Sequence, residues 1–568
     1  MDYKKLLAEV LSVHTNLPES DLLQAIETPT DVSLGHLAFP CFRLAKELKK
    51  APPVIAGELA AKIDSDKPDW LGNVLATGPY VNVFFDRAVF AKNVLQSVAS
   101  TGQNYGASGI GAGKNIVMDY SSPNIAKPLH VGHLGSTIIG WSLDKIHRFL
   151  GYNVTSINHL GDWGTQFGKM IVAYLKWGNK EALEKSGVDG LVELYVKFHN
   201  EADADPSLDD EARSWVVKLQ EGDKEGLALW QEFVDISLQE YKRQYNRMGI
   251  SFDLYRGESY YNDKMDAPVE ALRKGGLLEE SEGAQIVNLE DHNMPPCLII
   301  RSDGGTLYAT RDIATAIDRQ EKFSFHKCLY ITGQEQILHF SQFFKVLELM
   351  GHPWASGLVH IPYGMFRFEH GKLSTRRGDV IKMEELIDEA VAKTKAIIEE
   401  KNPTLENKET VSEQVGIGAL IFNKLYTNRI KDTVFNWDQM LNFDGETGPY
   451  VQYAYARTCS VLKKAGEAAT TSSPFDSSLI CEDTAFDVLR IIYDFPSKIQ
   501  EAADKYEPFM IARQLVALAQ AFNAYYHHHI ILVDDENIKN ARLALVKAVN
   551  IQLRIGLELL GMQAPESM

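Results

Sequence analysis

Apolar positions in the middle of the chain alternate between short runs and longer helical repeats. Asn115-Ile116-Val117-Met118, a short apolar run behind Gly113, predicts a buried strand. Leu134 to Leu150 carries apolar residues at mainly helical spacing and stops at Gly151, a natural helix C-terminal residue, so a helix is predicted there. Asn153 to Asn158 predicts the next strand, and alternation of this kind over residues 113 to about 390 predicts a doubly wound parallel sheet. Ahead of it, Leu6 to Val13 and Ala45 to Ile63 read as helical, the second crossing a break at Pro52-Pro53, and Val81 to Phe85 as a strand. A glycine- and serine-rich linker, Gly102 to Gly113, closes this first part. From about 391 onward the pattern is helical. Ile417 to Asn428 and Met440 to Lys464 precede a break at Thr470 to Pro474, and Leu515 to Tyr526 and Leu543 to Leu560 follow as amphipathic segments of a helical bundle.

Composition changes this picture little. A chain of 568 residues predicts three or four domains, and 45% hydrophobic with 24% charged residues is ordinary for a globular protein. No run of eighteen apolar residues predicts a membrane span, and the N-terminus does not read as a signal peptide. Cys41, Cys297, Cys328, Cys459 and Cys481 are scattered without metal-like spacing and read as free thiols of a reducing cytosol, so a cytoplasmic protein is expected. A net charge of −18 leaves only local basic patches for nucleic acid: Arg43, Lys46, Lys49 and Lys50, or Arg457, Lys463 and Lys464. Solvated helix faces account for those runs equally well. Gly113-Lys114 fails as a phosphate loop, because the required earlier glycine is Ser108 and the next residue is Asn115. His527-His528-His529 fails as a metal site, since adjacent helical residues point about 100° apart; no metal site is expected.

The chemistry concentrates at residues 119 to 133, Asp-Tyr-Ser-Ser-Pro-Asn-Ile-Ala-Lys-Pro-Leu-His-Val-Gly-His, where the first strand hands over to its helix. In open α/β sheets that crevice binds ligands, and helix N-termini there favour phosphate. His130 and His133 are expected on the first turn, sharing a face, with Gly132 between them removing a side chain so that a flat base can approach. Asp119, Asn124 and Lys127 add a carboxylate, an amide and an ammonium. This composes a nucleotide site with an amine-recognising group beside it.

His130-Val131-Gly132-His133 resembles the HIGH signature of class I aminoacyl-tRNA synthetases, and Ser121 to Lys127 resembles the arginyl-tRNA synthetase version of the residues before it. The resemblance covers nearly the whole chain, with dense matches at 115–168, 305–343, 364–378, 445–464 and 541–568. It implies a Rossmann-like α/β catalytic domain at 113–390, carrying a helical insertion at about 178–265. It further implies an α+β N-terminal tRNA-binding domain at 1–112, a helical stem at 391–445 and an all-α anticodon-binding bundle at 446–568. Nothing in the acidic stretch from about 178 to 250 suggests chemistry by itself.

By the same resemblance the substrates are L-arginine, ATP with Mg²⁺, and tRNA(Arg), and the chain acts as a monomer away from membranes. Tyr308 and Asp312, one helical turn apart, would hold the guanidinium, a planar cation that suits a carboxylate and a phenol. Alone, that pair reads better as a surface helix with Asp312 paired to a nearby arginine; beside the His130–His133 motif it does not. Asp119, Ser122, Pro123, Asn124, His133 and Gln336 would surround the rest of the amino acid, with Gln334 as the alternative to Gln336. His130, Gly132, His133 and Lys372 would bind ATP; Lys372-Leu373-Ser374-Thr375-Arg376 resembles the mobile KMSKS loop, with Lys372, Ser374 and Arg376 catalytic. Thr375 replaces that loop's second lysine, and Lys127 stands where the family places a substitute. Tyr80 and Asn82 would meet a D-loop base, an aromatic and an amide being a normal way to read a splayed nucleotide, although Tyr80 fits packing on a small sheet equally well. Gly135 departs from the family, which usually has Arg there, and predicts altered packing or an altered phosphate contact. Two functions remain: an arginine–tRNA ligase, or a catalytically idle paralogue that binds tRNA or arginine. A cysteine-specific ligase would call for thiol or metal ligands that Tyr308 and Asp312 are not.

Overall fold

The computed structural model describes residues 2–302, 304–305, 308–368, 381–466 and 475–568. The backbone divides into two compact units. One comprises residues 1–105, 457–494 and 517–552; the other comprises 106–456, 495–516 and 553–568.

The first unit contains a three-stranded antiparallel sheet, β1 (Leu37–Pro40), β2 (Leu71–Thr77) and β3 (Tyr80–Phe85), in the order β1-β3-β2. Helices Tyr3–His14, Pro52–Ser65 and Arg87–Thr101 bury Leu7, Leu11, Ile55, Leu59, Phe90 and Val94. Tyr3 is almost fully buried, with its ring 4.5 Å from Phe85 and 5.3 Å from Phe90. The proline pair opens its helix at the first two positions, where a missing N–H costs nothing.

The second unit is built on five parallel strands: β4 (Asn115–Asp119), β5 (Asn153–Asn158), β6 (Leu254–Tyr255), β10 (Lys327–Gly333) and β11 (Leu358–Tyr363). Their order is β11-β10-β4-β5-β6, so the winding direction reverses between β4 and β10. Such a reversal leaves a crevice beyond the strands' carboxyl ends, because the helices after the two strands leave on opposite faces. The loop after β4 holds residues 120–130 and the loop after β10 holds Gln334–Gln336, so the topology brings the predicted ligand groups to one place. An antiparallel trio, β7 (Glu279–Ser281), β8 (Ala284–Val287) and β9 (Cys297–Ile300), precedes helix Tyr308–Phe323. Ile313 and Ala316 of that helix pack with Phe340, Phe343 and Val346 of helix Ile337–Leu349 in one core. A short parallel pair, β12 (Phe366–Phe368) and β13 (Thr433–Phe435), completes the strands among the described residues.

Among the described residues the C-terminal part carries four long helices, Gly448–Ala465, Asp483–Lys505, Phe509–His528 and Glu536–Leu559. The segment read as one helix from Met440 to Lys464 is two. Helix Trp437–Met440 ends at Leu441, and Thr447 begins the next by accepting the Tyr450 N–H on its hydroxyl. A threonine in that position competes with a continuous helix by offering the backbone a cap. Among the described residues no helix is long and apolar enough to cross a membrane.

Candidate active site

The loop after β4 is held in a conformation that extended or helical backbone cannot supply. Ser121, Ser122 and Ala126 all take positive φ, at 74°, 51° and 60°. Such angles are unfavourable for residues with a Cβ and persist only where surrounding bonds over-determine them. Those bonds come largely from helix Lys224–Arg247. Tyr241 donates its hydroxyl to the carbonyls of Asn124 (2.7 Å) and Lys127 (2.6 Å), Ser237 Oγ accepts the Ala126 N–H, and Tyr245 shares a 2.6 Å bond with Ser121 Oγ. Ser237, Tyr241 and Tyr245 recur every fourth residue and so occupy one helix face. The stretch that suggested no chemistry therefore clamps the signature loop.

The remaining loop residues are placed by β5 and the turn that follows it. The Ser122 N–H donates to Asn158 Oδ1, and the Pro123 carbonyl accepts the Gly161 N–H. A Cβ on Gly161 would stand 1.9 Å from Asn124 Oδ1, so the bare glycine leaves room for that side chain. Lys127 is exposed at the loop's outer end.

His130 is not on the first helical turn, as the spacing suggested. It is the N-cap of helix Val131–Phe149, with φ −129° and ψ 169°. Its Nδ1 accepts the Gly132 N–H at 3.0 Å, and the His130 N–H in turn donates to His133 Nδ1 at 3.1 Å. This reciprocal arrangement is a capping box made from two imidazoles. An Nδ1 that accepts cannot carry a proton, so each neutral ring bears its proton on Nε2. The rings lie 3.8 Å apart. Gly132 has a structural reason besides ligand approach: its Cβ would stand 2.7 Å from the His130 ring.

Burial lowers the His133 pKa to about 3, with His130 adding to the shift, and burial lowers that of His130 as well. Burial likewise holds His147 and His360 near 4, and His36 in the first unit near 4. Free imidazole titrates near pH 6.5. Below that pH the unfolded chain takes up protons that these buried rings refuse, so unfolding free energy falls as pH drops from 6.5 towards 4. The urea unfolding midpoint is therefore expected to be lower at pH 5 than at pH 7.5. An equal or higher midpoint at pH 5 would contradict neutral buried imidazoles.

Asp119 ends β4 and is buried. Its Oδ2 receives Arg319 at 2.7 Å and its Oδ1 receives the Ser122 hydroxyl at 2.8 Å. Burial alone would raise this carboxyl, but Arg319 and the nearby His159 hold it below the usual carboxylate range. Arg319 is fully buried, so the pair holds the end of β4 against helix Tyr308–Phe323. On the same helix, Tyr308 is 70% exposed and Asp312 accepts from His339. Gln334 and Gln336 are both exposed on the short helical turn after β10.

Glu258 is a residue that the sequence reading missed. It sits at 2.7 Å from Arg311, and burial pushes its carboxyl up to about 7, opposed by Arg311 and reinforced by Asp312 and Asp162. It follows Gly257, whose Cβ would collide with the Asp162 carboxylate 2.2 Å away. Asp162 in turn accepts both the N–H and the hydroxyl of Ser259. The residue pattern Gly-Glu-Ser after β6 was the available signal.

At Gly135 the structure shows a packing consequence. A Cβ there would lie 2.9 Å from the Tyr363 ring, whose hydroxyl donates to the Gly132 carbonyl at 3.4 Å. Beneath that ring is Lys424, almost fully buried, donating to the Gly364 carbonyl at 2.9 Å. Burial lowers this lysine's pKa to about 8. The absent side chain thus makes room for Tyr363 against the helix's first turn.

Lys372, Ser374 and Arg376 lie outside the described residues. The chain just after them returns beside the signature: the Val131 N–H donates to the Ile381 carbonyl, and the Met383 N–H to the Leu129 carbonyl. In the first unit, Tyr80 packs edge-on against Phe42 with centroids 6.0 Å apart, and Phe42 is 56% exposed. Asn82 is buried at the centre of the small sheet, opposite Ala38 and Leu75.

Residues 94–437 match the family model of the catalytic domain of class I tRNA synthetases (R). Residues 1–85 match the arginyl tRNA synthetase N-terminal domain, and residues 451–568 match the DALR anticodon binding domain. The chain is 51% identical to the arginine–tRNA ligase of Alkaliphilus metalliredigens (strain QYMF) over 568 residues, all of both chains. This chain belongs to the arginyl-tRNA synthetase family. It is also 49% identical to the arginine–tRNA ligase of Clostridium perfringens (strain 13 / Type A), again over the full length of both. Two solved arginyl-tRNA synthetases share its fold at 24% identity. That of Thermus thermophilus has a TM-score of 0.81, with 96% of each chain covered. That of Plasmodium falciparum has a TM-score of 0.78, covering 96% of this chain and 94% of the other. The family's catalytic domain is thus the five-stranded sheet described above, and its chemistry uses ATP.

Proposed function

We infer that the protein is an arginine–tRNA ligase: it joins L-arginine to ATP as arginyl-adenylate, releasing pyrophosphate, and passes the arginyl group to the 3′ end of tRNA(Arg). The observation that carries this reading is the pair of neutral imidazoles at the start of helix Val131–Phe149, each with its N–H on Nε2, in a chain that matches arginine–tRNA ligases over its full length.

Attack of the arginine carboxylate on the α-phosphorus needs alignment of two anions and neutralisation of the charge that develops on phosphoryl oxygens. His130 and His133 supply donors without adding full charges, and the helix N-terminus adds its partial positive charge. Lys127, Lys372 and Arg376 face the departing pyrophosphate in this reading, and Ser374 belongs to the same catalytic motif. The donors at this turn are N–H groups, which suit phosphate oxygens. Mg²⁺ would therefore accompany ATP as part of the substrate and would help neutralise its phosphate charge. Asp312 and Tyr308 receive the guanidinium. Ser122, Pro123, Asn124 and Gln336 shape the recess for the α-amino and carboxylate end. Asp119, already paired to Arg319, acts on that end chiefly through Ser122 and the loop.

In the first unit, Tyr80 with Phe42 offers an aromatic surface for an unstacked base, and buried Asn82 holds the sheet behind it. We assign residues 1–112 to the tRNA elbow, 113–390 to catalysis with the insertion at about 178–265, 391–445 to a stem and 446–568 to the anticodon. The enzyme is proposed to act as a monomer in the cytoplasm. Charging of tRNA(Arg) with labelled arginine by the purified chain tests the function. Failure to charge it, with intact folding and tRNA binding, would leave the idle paralogue.

A further inference from the structure

His339 lies in the first turn of helix Ile337–Leu349, and its Nε2 stands 2.6 Å from Asp312 Oδ2. An ionised carboxylate can only accept, so Nε2 carries the proton and donates. The ring is braced by Phe340 and Phe343, each with its centroid 5.5 Å away, and both belong to the core beneath. Asp312 projects from helix Tyr308–Phe323, anchored in the same core by Ile313 and Ala316. Among the described residues no donor besides His339 is placed on this carboxylate. One bond therefore joins the helix after β9 to the helix after β10. It does so where both side chains remain open to solvent, Asp312 by 26% and His339 by 30%.

A carboxylate on a single rotatable stem has a broad terminal torsion. A fixed donor on one oxygen removes that freedom before the ligand arrives, which lowers the ordering cost of binding. We propose that His339 is a positioning residue for amino-acid recognition: it holds Asp312 Oδ2 so that Oδ1 meets the substrate guanidinium. This rests on the reading of Asp312 as the guanidinium acceptor. The opposite role, a placeholder that arginine must displace, predicts tighter binding when the imidazole is removed.

Steady-state charging of tRNA(Arg) by the full chain separates these, with arginine and ATP varied independently for His339→Ala, His339→Gln, Asp312→Asn and the Ala/Asn double variant. His339→Ala is expected to raise the KM for arginine about tenfold, the usual effect of losing one bond to a charged group. The KM for ATP should not move. His339→Gln, whose amide N–H reaches the same oxygen, should recover most of the loss. In the Asp312→Asn background, where His339 only holds an uncharged amide, His339→Ala should bring no further rise in the arginine KM. An arginine KM that falls or stays constant in His339→Ala, while Asp312→Asn raises it, overturns the proposal. So does an equal rise for ATP, or an undiminished cost in the double variant. Asp312→Asn with an unchanged arginine KM overturns the pocket reading itself.

Discussion

Asp312→Asn should lower kcat/KM for arginine about 10²-fold, roughly 3 kcal/mol, with the KM for ATP unchanged. The substitution preserves shape and volume, and the amide oxygen still accepts from His339, so folding should survive. What changes is the face offered to the substrate. A guanidinium is a fork of donors, and an amide turned towards His339 presents its own NH₂ donors to that fork. Charge attraction is replaced by donor facing donor at a side chain only 26% exposed. Glu258 does not compensate, because Arg311 engages it and burial already pushes its carboxyl up to about 7. A loss shared equally between arginine and ATP would show that Asp312 supports the site as a whole and does not read the amino acid.

His130→Asn should slow adenylate formation by about 10²–10³-fold while leaving the KM for arginine within a few-fold. Asparagine is a good N-cap, and its Oδ1 can take over the Gly132 N–H that His130 Nδ1 accepts, so the helix start is retained. What is lost is the Nε2–H that is proposed to meet a phosphate oxygen. His130→Ala removes cap and donor together and should lose about 1 kcal/mol of stability besides. Comparing the two variants separates the structural role of the ring from its catalytic one. If His130→Asn charges tRNA at the wild-type rate, the imidazole is a cap and nothing more.

Much of the site was legible because its residues are neighbours in sequence. The strand at Asn115, the helix after Leu134 and the loop between them follow from local apolar spacing, and the loop carries Asn124, Lys127, His130 and His133 within ten positions. The order β10-β4-β5 agrees with the alternating pattern, since parallel strands joined by helices leave few other arrangements. The partners that hold those residues were not legible. Arg319 lies 200 positions from Asp119, and no local period reports a pairing of that separation. Glu258 and His339 were obscure for the same reason. Tyr241 and Tyr245 differed: with Ser237 they recur at every fourth position, a visible polar stripe on an otherwise mixed helix, yet the acidic character around it suggested only surface. His130 was placed one step too far into its helix because spacing gives the face of a residue but not the dihedral that makes it a cap.

ATP–pyrophosphate exchange with purified protein, run with each amino acid in the presence and absence of tRNA(Arg), tests the central claim most directly. Exchange that requires arginine and no other amino acid, in the presence of tRNA(Arg), is the predicted result. Exchange supported by another amino acid, or none under any condition in folded protein that binds tRNA, would contradict it.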